Sequence, residues 1–150
     1  MTSTIKTLIL SIICAITVLP FQSCKKGPDD PFLSLRSRKA RLEGEWTLQT
    51  YKKNGTEQKL SGTTTYTFKK DGTATYKSTV GSFSTITDQR WDFLTKGNDY
   101  KKKERLFIYD NENIDGNVYD IVELRNDKLV LAYKVVSSGK TDEYVIEYTQ

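Results

Sequence analysis

Thr64-Thr65-Tyr66-Thr67-Phe68-Lys69-Lys70-Asp71-Gly72-Thr73-Ala74-Thr75-Tyr76-Lys77-Ser78 holds the pattern that decides the fold. Tyr66, Phe68, Ala74 and Tyr76 recur at every second position, with Thr67, Lys69, Thr75 and Lys77 between them. A period of two places one set of side chains on a buried face and the other on a wet face, which is a strand and not a helix. Threonine suits the pleat because its branched Cβ packs well there. Asp71-Gly72 between the two runs is a hairpin signal.

The same alternation continues from Gly44 to the C-terminus. It predicts eight strands: Glu45–Tyr51, Thr64–Lys69, Thr73–Ser78, Ser82–Phe93, Glu104–Tyr109, Val118–Leu124, Leu129–Val135 and Glu143–Tyr148. Asn126-Asp127 and Ser137–Gly139 supply further turns. Every link is too short for a crossover helix, so successive strands pair antiparallel. The inward face collects Trp46, Leu48, Tyr66, Phe68, Ala74, Tyr76, Trp91, Phe93, Tyr119, Ile121, Leu129, Leu131, Tyr133, Tyr144, Ile146 and Tyr148. The outward face carries Thr47, Gln49, Thr75, Arg90, Asp92, Lys134, Glu143 and Glu147. With no helices to cover an apolar sheet, closure into an all-β, eight-stranded antiparallel up-and-down barrel buries that face and removes both edges. A two-sheet sandwich is the competing architecture.

Ahead of the strands, Lys6 precedes the uncharged run Thr7–Leu19, then Pro20 and Ser23-Cys24. This is the layout of a secretory signal, and the run is short for a permanent span, which needs about 20 apolar residues. The cysteine placement resembles the signals of bacterial lipoproteins, in which the first mature residue is lipidated. Cys14, the other cysteine, lies within the segment to be removed, so Cys24 is left without a disulfide partner. The chain then divides into a signal helix and leader at 1–23, a tether and pre-barrel segment at 24–41, and a barrel domain at 42–150. Lys25–Pro31 is too polar to fold on its own and serves as a flexible tether, and Asp29-Asp30 resemble acidic surface-export signals.

Composition removes several function classes. The formal charge of +4 falls to +3 once Lys6 leaves, and it is spread along the chain, unlike the concentrated face of a nucleic-acid binder. With 0 histidines and no cysteine after Cys24, zinc clusters, thiol nucleophiles and Ser-His-Asp triads have no residues to build them. The carboxylate pairs Asp88/Asp92 and Glu143/Glu147 fall on the outward phase and read as solvated strand faces. Asn111-x-Asn113-x-Asp115-Gly116 has a calcium-like spacing, but it begins with asparagine and reaches Val122 at the twelfth position, so it reads as a hairpin loop. Lys101-Lys102-Lys103 reads as a solvated loop, the alternative being contact with anionic headgroups or glycans. No metal or cofactor is expected.

Leu42-Glu43-Gly44-Glu45-Trp46, Trp91-Asp92-Phe93, Tyr119–Leu124 and Leu129-Val130-Leu131 together resemble the compact lipocalin-like lipoproteins of Gram-negative bacteria, from Leu42 to the C-terminus. The resemblance implies that Trp46 closes the barrel floor beneath an arginine of the last strand. That strand has no arginine here, so Arg36, Arg38 and Arg41 become the candidates to cover Trp46, the alternative being a solvated basic segment. It also implies that Lys52–Gly62 acts as a lid, against the plainer reading of a surface loop.

The expected function is therefore a non-catalytic lipoprotein, outer-membrane-anchored through Cys24 and facing the periplasm or the surface. Its barrel binds a small hydrophobic or amphipathic ligand, such as a fatty acid, along Tyr66, Phe68, Tyr76, Trp91, Phe93, Tyr133 and Tyr144. The alternative is a filled barrel that binds a protein or glycan through loops and outer face, with no particular protein partner specified. Replacing Cys24→Ser is expected to move the protein from the membrane fraction to the soluble fraction and to abolish acyl labelling. A wild-type chain that is soluble and unlabelled in its native host contradicts the anchor.

Overall fold

The computed structural model describes residues 36–94, 105–110 and 116–150. The leader, Cys24 and the tether, the Lys101–Lys103 run and residues 111–115 of the calcium-like loop lie outside the described residues. A short helix α1 (Arg38–Leu42) precedes nine strands: β1 (Gly44–Lys53), β2 (Thr56–Glu57), β3 (Thr63–Phe68), β4 (Thr73–Val80), β5 (Phe83–Leu94), β6 (Arg105–Asp110), β7 (Gly116–Leu124), β8 (Lys128–Ser137) and β9 (Lys140–Thr149). The sheet runs β2-β1-β3-β4-β5-β6-β7-β8-β9 with every pairing antiparallel, and a further β1–β9 ladder closes it. β1 and β3 through β9 make the eight-stranded barrel that alternation predicts, and the β1–β9 ladder rules out the sandwich. β2 is a two-residue addition to the end of β1, pairing Lys52 with Glu57 and Lys53 with Thr56.

Turn chemistry sets the registers. Between β3 and β4 the Asp71 carboxylate accepts from the Thr73 N–H at 2.9 Å and from its hydroxyl at 2.7 Å. Gly72, at φ 85°, follows a turn closed from its N–H to the Lys69 carbonyl at 3.1 Å. This is a turn ending in a left-handed residue, one residue longer than the tightest Asp-Gly hairpins. Ser138 and Gly139, at φ 49° and 76°, form a two-residue hairpin that places Ser137 opposite Lys140.

Two irregularities alter the alternation. The β1–β9 register shifts between Leu48 and Thr50, and the β7–β8 register shifts between Ile121 and Glu123. An extra residue reverses the phase of everything after it. Tyr51, outward by strict alternation, therefore packs against the core, and Leu124 is buried at 2% exposure.

The floor lies where β1 begins. Ser37 caps α1 by accepting from the Ala40 N–H at 3.1 Å. Arg41 is 4% exposed, and its Nη1 donates to the Leu124 carbonyl at 3.0 Å. Leu42 and Trp46 are both 0% exposed, and the Trp46 indole N–H donates to the Leu42 carbonyl at 2.8 Å. Lys39 Nζ lies 5.3 Å from the Trp91 ring centre. Trp46→Ala is expected to destabilise by about 3–5 kcal/mol in a denaturant titration. Thr47→Ala, on the outer face, is expected to stay within about 0.5 kcal/mol. Equal losses at both positions contradict this assignment of faces.

Candidate functional site

The barrel interior is aromatic throughout but divides into two parts. Near the floor, Phe68 meets Trp91 edge-on at 5.8 Å, and Trp91 meets Phe93 edge-on at 5.6 Å. Phe68 and Trp91 are 2% and 3% exposed, and the Trp91 N–H is spent on the Lys69 carbonyl at 3.0 Å. These three rings fill the lower barrel together with Leu106 and Ile108. Toward the rim the rings are tyrosines. Tyr144 lies between Tyr133 and Tyr51, stacked at 4.7 Å and 5.8 Å. Tyr119 meets Tyr133 edge-on at 5.4 Å. Tyr66 joins the two parts, stacked on Phe68 at 5.4 Å and touching Tyr76 at 5.1 Å and Tyr148 at 6.2 Å. Of the chain's 9 tyrosines, the seven at 51, 66, 76, 119, 133, 144 and 148 thus belong to this cluster.

Their hydroxyls form a polar lining inside an apolar wall. Tyr66 donates to Gln89 Oε1 at 3.1 Å, and the Tyr51 and Tyr133 hydroxyls lie 3.3 Å apart. Burial pushes the Tyr66, Tyr119, Tyr133 and Tyr148 hydroxyls above the ordinary value of 10.0, and neighbouring tyrosines add to the shift. Tyr148 is itself 5% exposed.

The seven residues expected to bind ligand therefore separate. Tyr66 and Tyr76 touch each other, Tyr133 and Tyr144 stack, and Phe68, Trp91 and Phe93 pack edge-on as a separate group of rings. Sequence reading missed Tyr51, hidden by the shift in β1, and Gln89. The signal for Gln89 was present, since it falls on the apolar phase of Trp91 and Phe93 in β5.

The outer candidates are occupied locally. A shallow groove of about 290 Å³ lined by Lys69, Asp71, Thr73, Thr75 and Asp88 has two carboxylates. Thr73 holds Asp71, and Thr75 donates to Asp88 at 3.0 Å. Glu143 and Glu147 meet Lys134 and Lys128, each at 3.4 Å, as exposed cross-strand pairs of small energetic weight. The expected lid is anchored where it starts. Asn54 donates to Asp142 at 2.8 Å and accepts from the Glu143 N–H at 2.8 Å, which ties the β1–β2 turn to β9.

The raised tyrosines have a consequence for pH. In the unfolded chain they ionise near 10, while the fold holds them neutral, so this contribution to stability is complete below pH 10 and is lost as pH rises through the folded values. Phenolate absorbance of the native protein is expected to develop at higher pH than in urea, with the denaturation midpoint falling above about pH 10. Superimposable native and unfolded titrations contradict this placement of the tyrosines.

Comparison with known proteins follows the geometry. A search of curated protein sequences gave no match. Among solved structures, bovine nasal-mucosa odorant-binding protein is similar at 18% identity and TM-score 0.45, over 79% of this chain and 76% of that one. A deswapped triple mutant of bovine odorant-binding protein aligns at 18% identity and TM-score 0.44, over 73% and 74%. The family model for the lipocalin-like domain matches residues 42–131, from the floor leucine into the first part of β8. With that match over more than half its length and a closed eight-stranded barrel, the chain belongs to the lipocalin-like domain family.

Proposed function

We propose that this protein is a non-catalytic, lipid-anchored envelope lipoprotein whose barrel binds a small hydrophobic or amphipathic molecule. The observation that carries the reading is the tyrosine-rich inward face, where Tyr66, Tyr76, Tyr133 and Tyr144 set hydroxyl-bearing rings against an apolar wall. A pocket of apolar walls with a few convergent polar groups is how proteins hold small ligands. The leader and Cys24 support an outer-membrane anchor with the barrel in the periplasm or at the surface. No histidine is available for acid–base work, and the outward carboxylates are held in cross-strand pairs. The odorant carriage implied by the name of the bovine proteins is consistent with this reading and adds no weight to it.

A second reading, an interaction module, draws on exposed apolar side chains at the β4–β5 and β8–β9 hairpins: Phe83 at 82% and Val136 at 73%. The two readings separate in one titration. The full chain carrying Cys24→Ser, which leaves no attached acyl chain to compete, is titrated with the fluorescent probe N-phenyl-1-naphthylamine. Burial equivalent to about ten CH₂ groups offers up to ~8 kcal/mol, enough for micromolar binding after association costs. Saturable binding that shifts in affinity in Tyr76→Ala is expected. An absence of saturable binding transfers the assignment to the interaction module.

A further inference from the structure

The end of the barrel opposite α1 exposes apolar side chains to water. In the β4–β5 hairpin Val80 pairs with Phe83 across the turn, and both are exposed. Ile86, 63% exposed, stands opposite Lys77 on the same hairpin. The β8–β9 hairpin repeats the arrangement, with Val135 and Val136 exposed before its turn and Lys140 exposed after it. Five of the seven large apolar side chains exposed among the described residues thus lie in these two hairpins, so the exposure is localised and not scattered. The charges beside them have one sign. From Gly72 to Thr87 the only charged residue is Lys77, and from Lys128 to Thr141 the charged residues are Lys128, Lys134 and Lys140. Lys134 meets Glu143 at 3.4 Å, whereas Lys77 and Lys140 make no ion pair among the described residues.

The placement of the two tips decides what covers them. β4–β5 and β8–β9 lie on opposite sides of the closed sheet, so the width of the barrel separates the tips. A protein partner needs about 800 Å² of continuous complementary surface on each side. Two narrow tips standing apart do not supply it, whereas a bilayer receives each tip separately. Apolar side chains carried on hydroxyl-rich strands, with lysines and no carboxylate, match hydrocarbon lying beneath anionic headgroups. On the proposed anchor, residues 25–35 reach at most ~40 Å, more than the ~33 Å spanned by a strand of 10 residues such as β8. A barrel tethered from its floor end can therefore turn these tips toward the bilayer.

We propose that the β4–β5 and β8–β9 hairpins form a docking surface for an anionic lipid bilayer. Val80, Phe83, Ile86 and Val136 enter the headgroup layer, and Lys77 and Lys140 lie against its phosphates. The docking does not depend on the carrier reading, which is tested separately by the N-phenyl-1-naphthylamine titration. The test is amide hydrogen exchange of the full chain carrying Cys24→Ser, alone and with vesicles. One vesicle is pure phosphatidylcholine and the other is equimolar phosphatidylcholine and phosphatidylglycerol. The mixed vesicles are expected to slow exchange in 78–87 and 135–141 by at least about threefold, while the floor turns at 69–72 and 125–128 exchange as in the free protein. Adding Phe83→Ser and Val136→Ser, both at exposed positions, is expected to abolish that protection without changing exchange elsewhere in the barrel. Adding Lys77→Gln and Lys140→Gln instead is expected to raise the lipid concentration for half-protection by about tenfold or more. Vesicle binding that leaves both hairpins exchanging as in the free protein, as binding through the leader would, overturns the proposal. So does protection that survives Phe83→Ser with Val136→Ser. Equal protection on pure phosphatidylcholine overturns the role of the lysines. Protection of the same hairpins without vesicles, growing with protein concentration, gives the surface to a second copy of the chain and overturns the lipid assignment.

Discussion

Everything in this barrel depends on β1 serving two neighbours. Its first residues, Gly44–Thr47, pair with β3, and from Thr47 to Lys53 it pairs with β9. Without the second ladder the sheet would have two open edges and an apolar face in water. The shift between Leu48 and Thr50 occurs where β1 passes from one partner to the other. A bulge bends a strand and increases its twist, which closing a sheet of only eight strands demands. The same device turns Tyr51 inward, so closure of the fold and one wall of the lumen share a single cause.

The choice of tyrosine over phenylalanine is the second physical constraint. A phenylalanine fills volume as well, without a hydroxyl to satisfy. Leaving one buried hydroxyl unpaired costs about 1–3 kcal/mol. The floor follows this economy, since Phe68 and Phe93 carry no polar atom and the Trp91 N–H is satisfied by the Lys69 carbonyl. The upper barrel uses tyrosines instead, with the Tyr51 and Tyr133 hydroxyls 3.3 Å apart and Tyr66 donating to Gln89.

The sequence pattern carried most of the fold because alternation is a local property. All eight barrel strands, their antiparallel order and the inward aromatics were legible from period-two patterning and turn residues. The failures were the places where one inserted residue resets the phase. Tyr51 and Leu124 each follow a shift, and no propensity marks a bulge within a polar run such as Thr47–Thr50. The short helix α1 was also illegible as a floor, because five residues carry too little periodicity to declare a face. The division of the site into plug and lumen was hidden for another reason. It depends on which rings meet across the barrel, and alternation reports only that a side chain points inward.

The two ends of the barrel have opposite characters, and this constrains how an anchored protein would meet its ligand. The chain enters the fold through α1 at the floor, where Arg41, Leu42 and Trp46 are buried. The other end carries the β4–β5 and β8–β9 hairpins, with Phe83 and Val136 exposed. On the proposed anchor, residues 25–35 set the maximum reach from the lipidated cysteine to Arg36, at most ~40 Å for a fully extended chain. An anchor joined to the chain ahead of α1 would attach at the floor end, the end opposite the exposed Phe83 and Val136.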